Sequence, residues 1–205
     1  TPVLYVSSAA IYGDNPHLPL TETELPKPLT AYGADKLGCE HHGFVASQVY
    51  GIPTIGFRLF NIYGPRQDPK SPYSGVISIF MDKIANGQPV TIFGDGSQNR
   101  DFVYVTDVAR IFEIAMQKLE AGQNSGEIYN VARGESLTIK DLAGIIGECA
   151  GSAPQIVYEA AREGDIKNSR GSPKKLKADL GTGVEIDLKT GLKNTYDFFT
   201  QKGHN

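Results

Sequence analysis

Val3-Leu4-Tyr5-Val6-Ser7-Ser8 is a short apolar run closed by small polar residues, the pattern of a strand buried on both faces of a parallel sheet. The stretch from Asp14 to Thr30 carries turn chemistry throughout, with Asn15-Pro16, Leu18-Pro19, Pro26 and Pro28, and reads as a loop. From Ala31 to about Tyr50 the pattern turns helical. Leu37, Phe44, Val45 and Val49 fall near one face, and Gly51 stands where a C-terminal cap belongs. Thr54-Ile-Gly-Phe-Arg-Leu-Phe60 is then a second buried strand. Strand, helix and strand in that order make a right-handed parallel crossover the default, and with it an α/β fold. A central strand at the start of a chain would leave an unpaired edge. Residues 1–205 are therefore expected to be the C-terminal part of something longer.

Beyond Gly64-Pro65 the units shorten. Gly75 to Asn86 reads as a helix, Pro89 to Phe93 and Asp101 to Val105 as strands, and Asp107 to Leu119 as a helix capped by Thr106 or Asp107. Glu127 to Val131 is a further strand. Leu142, Ile145, Ile146 and Cys149 keep an amphipathic helical spacing behind Thr138 as cap, which makes Cys149 a core residue. Gln155 to Tyr158 reads as a strand, Pro173 to Leu180 as a short helix opened by Ser172-Pro173, and Leu188 to Phe199 as a terminal helix. Phe93-Gly-Asp-Gly-Ser97 looks like a phosphate loop but lies between two strand-like segments, so it is expected to be a hairpin turn with Asp95-Gly96 at its tip.

The chain has 205 residues, enough for one domain with a small appendage. Twenty basic residues face 23 acidic ones, for a formal net charge of -3, without a long Lys/Arg run, so nucleic acid is not an expected partner. The two cysteines, Cys39 and Cys149, are far apart, which argues against a disulfide framework and for a reducing, cytoplasmic setting. No apolar run approaches a membrane span of ~18 residues. His17, His41, His42 and His204 show no metal spacing and are expected to be structural or exposed; no metal is expected.

Tyr32 and Lys36, in Ala31-Tyr-Gly-Ala-Asp-Lys36, are an i, i+4 pair whose side chains share one helical stripe. An ammonium beside a phenol favours the phenolate and makes the pair a proton-exchanging unit. Ser7 and Ser8 end the first strand, and the carboxyl ends of parallel strands are where open α/β sheets bind ligands. Taken alone, so short a pattern is far more often a chance pair on a solvated helix face.

The order SSAAIYG, AYGADK, RLFNIYGPRQ, GDGSQNRDFVYVTDVA and REGD resembles the extended short-chain dehydrogenase/reductase family, specifically its nucleotide-sugar 4-epimerases. The resemblance runs from Val3 to the terminal helix. It implies NAD as cofactor and a catalytic set of Ser8, Tyr32 and Lys36, the last two also touching the cofactor. In the family, Tyr takes the proton from the sugar 4-hydroxyl while hydride passes from C4 to the nicotinamide ring; the 4-keto sugar turns over and is reduced on its other face. The substrate is then a UDP-sugar. Asn61 matches the asparagine on the diphosphate side, and Gly75 and Val76 a backbone contact at a helix N-terminus. Thr91 and Phe93 match the uracil grip, Arg100 and Arg162 the diphosphate clamp, and Asp165 the ribose-binding acid.

Dehydratases of the family carry an acidic pair after the catalytic Ser/Thr, and decarboxylases a Glu at the second of these positions. Here they are Ala9 and Ala10, which cannot transfer protons. That favours epimerisation. Ser169 matches a gatekeeper that is either a tyrosine or a small residue. A small one leaves room for a 2-acetamido group, so UDP-GlcNAc/GalNAc are expected alongside UDP-glucose/galactose.

The resemblance implies the C-terminal half of a Rossmann-type parallel sheet plus a small α+β substrate-binding lobe. Residues 1–64 would be a partial NAD-binding Rossmann domain with the catalytic residues, and 65–205 mainly the nucleotide-sugar lobe, with segments returning to the Rossmann part. The glycine-rich turn that holds the cofactor pyrophosphate is not in the chain; its half would take roughly a hundred residues, at ~30 per βα unit. The chain alone is therefore expected to be inactive or nearly so, and the complete protein a homodimer. A nucleotide-sugar-binding module without catalysis, and a dehydratase or reductase relative, stay open as alternatives.

Overall fold

The computed structural model describes residues 1–71, 74–162 and 164–202. β1 (Val3–Ser8) runs into a 3-10 turn, Ala9–Tyr12, and a loop leads to α1 (Ala31–Gln48). β2 (Thr54–Leu59), β3 (Asn61–Tyr63), α2 (Val76–Ala85), β4 (Val90–Phe93) and β5 (Asn99–Arg100) follow. Next come β6 (Phe102–Tyr104), α3 (Val105–Glu120), β7 (Glu127–Val131), β8 (Leu137–Thr138) and α4 (Ile139–Ala150). β9 (Ile156–Glu159), α5 (Lys174–Leu180) and α6 (Leu188–Lys202) close the described chain.

β2 is the centre of a parallel sheet ordered β1-β2-β7, with Tyr5 beside Gly56 and Phe57 beside Tyr129. Its alternation decides what covers each face. Ile55 and Phe57 turn toward α3, where the Phe57 and Phe112 rings lie 4.7 Å apart. Thr54, Gly56 and Arg58 turn toward α1, where Thr54 Oγ1 donates to the Gly43 carbonyl at 3.3 Å. Tyr5 fills the gap on that side. A Cβ on Gly43 or on Gly56 would come within 2.3 or 2.4 Å of its ring, so both glycines are needed for the close approach.

Val108, Ile111, Ala115 and Leu119 of α3 and Leu176 and Leu180 of α5 complete this first core. A second core joins Ile77, Phe80 and Met81 of α2, Val90 and Ile92 of β4, Leu142 and Ile146 of α4, and Leu192 of α6. Thr138 caps α4 by accepting the Asp141 N–H at 3.0 Å. Ile145 and Cys149 are only partly buried against this core.

Other local expectations change as well. β1 is not buried on both faces: Val3 and Val6 are 43% and 37% exposed, because β1 is the outer strand of the described sheet and β2 the covered one. Phe44 and Val45 on α1 and Val49 just after it are exposed, while Leu37 packs partly buried against the first core and the buried residues of the helix are Gly33, Glu40 and Gly43. α1 ends at Gln48, and Gly51 follows with φ +62 as the Ile52 N–H returns to the Ala46 carbonyl at 2.9 Å. α3 begins at Val105 without a side-chain cap. Asp107 is committed elsewhere, accepting from Arg110 Nη2 at 2.8 Å and from the Glu185 and Ile186 N–H groups at 3.1 and 3.0 Å.

The Phe93–Ser97 segment does turn, with Gly94 and Gly96 at φ +75 and +77. It is not a hairpin. β4 pairs with β9 in parallel and β5 with β8 antiparallel, so the turn joins strands of different sheets. Among the described residues, no helix is long and apolar enough to cross a membrane.

Candidate functional site

At the end of β1, Ser8 Oγ accepts the Ala10 N–H at 3.1 Å and opens the 3-10 turn. Thr30 Oγ1 accepts the Gly33 N–H at 3.1 Å, which starts α1 and puts Tyr32 in its first turn. A Cβ on Gly33 would stand 2.9 Å from the Ala10 carbonyl, so a glycine lets this turn of α1 lie against the Ala9-Ala10 pair. Lys36 Nζ lies 5.7 Å from the Tyr32 ring centroid and donates to the Val6 carbonyl at 3.2 Å. The Tyr32 ring is about half exposed, at 47%. A phenol and an ammonium therefore stand together, open to solvent, beside β1.

Beneath them lies a buried polar network. Arg58 donates through Nη1 to Tyr12 Oη at 2.8 Å and to the Glu22 carbonyl at 3.0 Å, and through Nε and Nη2 to Glu40. Ser7 Oγ donates to Glu40 Oε1 at 2.5 Å, and Tyr12 Oη to Asn130 Oδ1 at 2.7 Å. Burial pushes the Tyr12 phenol up to about 12, against the pull of Arg58, so it stays neutral as a donor. The network ties α1, the 3-10 turn, β2 and β7 together under the Tyr-Lys pair.

A cavity of about 550 Å³ opens between α2, β4 and the segment after β9, a size that suits a small-molecule ligand. Asn61, Val76, Thr91 and Phe93 line it, and Arg100, Arg162 and Asp165 face it. Arg100 Nη2 pairs with Asp165 Oδ1 at 2.7 Å, and its Nη1 donates to the Asn99 carbonyl at 2.8 Å. Burial pulls the Arg100 guanidinium down from its ordinary range while Asp165 opposes the shift. The Arg162 guanidinium carbon stands 3.7 Å from the Phe93 ring centroid, a cation–π stack at the cavity wall.

Ser8, Tyr32, Lys36 and Ser169 are not among the residues lining this cavity. Ser169 is half-buried and its N–H donates to the Asn99 carbonyl at 3.3 Å. Gly75 caps α2 through its backbone, without a side-chain cap, next to the lining residue Val76. Lys83, Gln98 and Glu159 also line the cavity and were not foreseen. Lys83 Nζ donates to Thr91 Oγ1 at 3.3 Å, and Gln98 Nε2 to the Phe93 carbonyl at 2.7 Å. The spacing of Val76, Phe80 and Lys83 along one helical stripe was the signal for Lys83.

Cys39 and Cys149 are free. His17, His41 and His42 are exposed, and His204 lies outside the described residues. Among the described residues, no group of three or more His, Cys, Asp or Glu side chains is placed to hold a metal ion.

A parallel sheet between helices, with polar groups at the end of its first strand, defines an α/β protein, a class whose ligands bind at the carboxyl ends of its strands. Residues 1–132 match the model of the NAD dependent epimerase/dehydratase family, and the chain belongs to that family. It is 35% identical to the Thermotoga maritima UDP-glucose 4-epimerase solved with UDP-glucose, over 100% of this chain and 64% of that one, with a TM-score of 0.93. It is 36% identical to a Methanobrevibacter ruminantium UDP-N-acetylglucosamine 4-epimerase in complex with UDP-N-acetylmuramic acid, over 98% and 63%, with a TM-score of 0.91. The Thermus thermophilus UDP-glucose 4-epimerase complex with NAD is also 36% identical, over 97% and 63%, at 0.87. The chain spans 60% and 61% of the length of two curated relatives it matches.

Proposed function

We propose that this chain supplies the catalytic and nucleotide-sugar-binding part of an NAD-dependent UDP-hexose 4-epimerase. The observation that carries the reading is the cavity wall: two guanidinium groups, a carboxylate and an aromatic face meet at one opening. Arg100 and Arg162 bind the diphosphate, with Asn61 and the Gly75-Val76 helix N-terminus beside it. Asp165 takes the ribose hydroxyls, and Thr91 and Phe93 take the uracil. Ligand entry replaces internal contacts, since Asp165 now holds Arg100 and Arg162 now covers Phe93.

The solvent-open Tyr32 and Lys36 fit the nicotinamide ribose of NAD, as a phenol and an ammonium beside β1 are the donors that a ribose diol accepts. NAD, when bound, supplies hydride acceptance and return at the sugar C4. Tyr32 removes and returns the 4-hydroxyl proton, Lys36 holds the phenol and ribose in register, and Ser8 donates to the sugar oxygen. No carboxylate stands in the Ala9–Tyr12 turn, which suits epimerisation, where nothing is eliminated. Residues 1–64, with α3, β7 and α5 packed on them, form the cofactor side, and most of 65–205 the nucleotide-sugar side. The exposed Phe44, Val45, Val49 and Tyr50 of α1 and the turn after it are the contact surface of a homodimer.

Calorimetric titration of the full-length protein with UDP tests the binding part. Arg100→Ala and Arg162→Ala are each expected to raise Kd at least ~10-fold, since a charged hydrogen bond contributes ~1.5–3 kcal/mol. Unchanged affinity in both variants would remove the diphosphate assignment.

A further inference from the structure

Asp101 belongs to none of the groups above, yet it has the densest set of polar contacts beside the cavity. Its side chain is wholly buried. Oδ1 accepts the Arg133 N–H at 2.9 Å, and Oδ2 accepts the Gly134 N–H at 3.0 Å and the Gly171 N–H at 3.2 Å. Its own carbonyl accepts both the N–H and the side-chain amide of Asn61, at 3.0 and 2.9 Å. The preceding residue is Arg100. One residue thus joins β3, the β5–β6 connection, the end of β7 and the 168–171 segment.

The closeness of that last segment is set by packing. A Cβ on Gly171 would fall 2.5 Å from the Ala132 Cβ and 2.6 Å from the Phe60 ring, so the Gly171 N–H reaches the carboxylate only because residue 171 has no side chain. Leu20 flanks Gly171 on its other side: its N–H donates to the Arg170 carbonyl and its carbonyl accepts the Ser172 N–H, both at 2.8 Å. Ser169, two residues before Gly171, is held through Asn99, the residue before Arg100.

We propose that Asp101 is a positioning residue that sets the diphosphate-side groups Asn61 and Arg100 against the segment carrying Ser169. A carboxylate suits this place because it offers only acceptors, and the groups turned to it are the backbone N–H donors of Arg133, Gly134 and Gly171. The backbone carbonyl of the same residue then fixes the Asn61 amide, so a shift of the carboxylate anchor moves both sides of the cavity together. This inference rests on the UDP-binding reading.

The test is calorimetry with UDP and turnover with UDP-glucose and UDP-GlcNAc, on the full-length protein and its Asp101→Asn and Arg100→Ala variants. Asp101→Asn places an N–H₂ or a weaker acceptor against those donors. It is expected to raise the UDP Kd ~10-fold and to change the ratio of kcat/KM between the two sugars. A folded Asp101→Asn protein with Kd and sugar ratio within twofold of wild type, while Arg100→Ala weakens UDP, would overturn the positioning role alone. Wild type that does not bind UDP would overturn the underlying reading. If Asp101→Asn does not fold, backbone NMR of the wild type decides: UDP is expected to shift the Arg133, Gly134 and Gly171 amide resonances, and shifts confined to residues lining the cavity would contradict the proposal.

Discussion

Arg58 Nε and Nη2 donate to Glu40 Oε1 and Oε2 at 2.9 and 2.8 Å, a two-pronged pair between β2 and α1 with both residues more than nine-tenths buried. Removing one partner leaves the other charge in a low-dielectric interior, which costs ~3–5 kcal/mol. Glu40→Ala is therefore expected to lower unfolding stability by about that amount in urea titration. A joint replacement of Glu40 and Arg58 by apolar residues of similar volume is expected to lose much less. Equal losses in the single and joint variants would show that the carboxylate, not the unpaired cation, matters.

Tyr5 lies between Gly43 and Gly56, with no room for a methyl on either. Gly56→Ala forces the ring or the α1 backbone to move, and overpacking of this kind costs ~1–3 kcal/mol. The expected result is a lowered urea midpoint at unchanged m-value. A midpoint equal to wild type would mean that α1 yields freely.

Burial pushes the Asp101 carboxyl up to about 6, opposed by the Arg133, Gly134 and Gly171 N–H groups and by the Arg133 charge. A folded value above the unfolded one makes this group's own contribution to stability fully present at low pH and lost as pH rises through about 6. Acidification from pH 7 to 5 thus protonates Asp101 without unfolding the protein on its account, while removing an acceptor from the anchor. UDP-glucose, whose diphosphate does not titrate there, is expected to bind up to ~10-fold more weakly at pH 5 than at pH 7, one unit below the midpoint changing the ionised fraction about tenfold. The groups turned to the carboxylate are Arg133 from the end of β7 and backbone N–H donors from the other segments. Affinity flat across this range in calorimetry would show that the protonated acid anchors equally well.

If Ser169 is the gatekeeper that the family resemblance makes it, a tyrosine in its place closes the space for a 2-acetamido group. Ser169→Tyr is expected to lower kcat/KM for UDP-GlcNAc by at least ~10-fold, the lower end of the range for a steric change in a pocket, and to leave UDP-glucose within a few-fold. Equal loss for both sugars would place residue 169 away from the acetamido group.

The parallel strands, the main helices and the Thr138 cap were legible because local periodicity and capping chemistry decide them. The pairing of β4 with β9 was not. Its partner lies more than sixty positions away, and a Gly-rich turn after a strand gives no sign of which sheet comes next. The Asp107 error has a similar cause: an acid at a helix start reads as a cap, but here tertiary contacts to Glu185 and Ile186 claim it. At the candidate site, the motifs single out Arg100, Arg162, Asp165 and Phe93, which line one cavity, and also Ser8, Tyr32, Lys36 and Ser169, which do not. Arg58 and Glu40 were passed over because a charge within an apolar strand, Thr54 to Phe60, signals a buried partner without saying where it is.

The most direct test of the account is NMR detection of UDP-glucose and UDP-galactose anomeric signals after adding the full-length protein with NAD, for wild type and Tyr32→Phe. The account predicts interconversion by wild type, and a loss of ~10²–10⁴ in kcat for Tyr32→Phe, the usual range for a removed general acid/base, with UDP-glucose affinity unchanged. Wild type that leaves either sugar untouched, or a phenylalanine variant as fast as wild type, would contradict it.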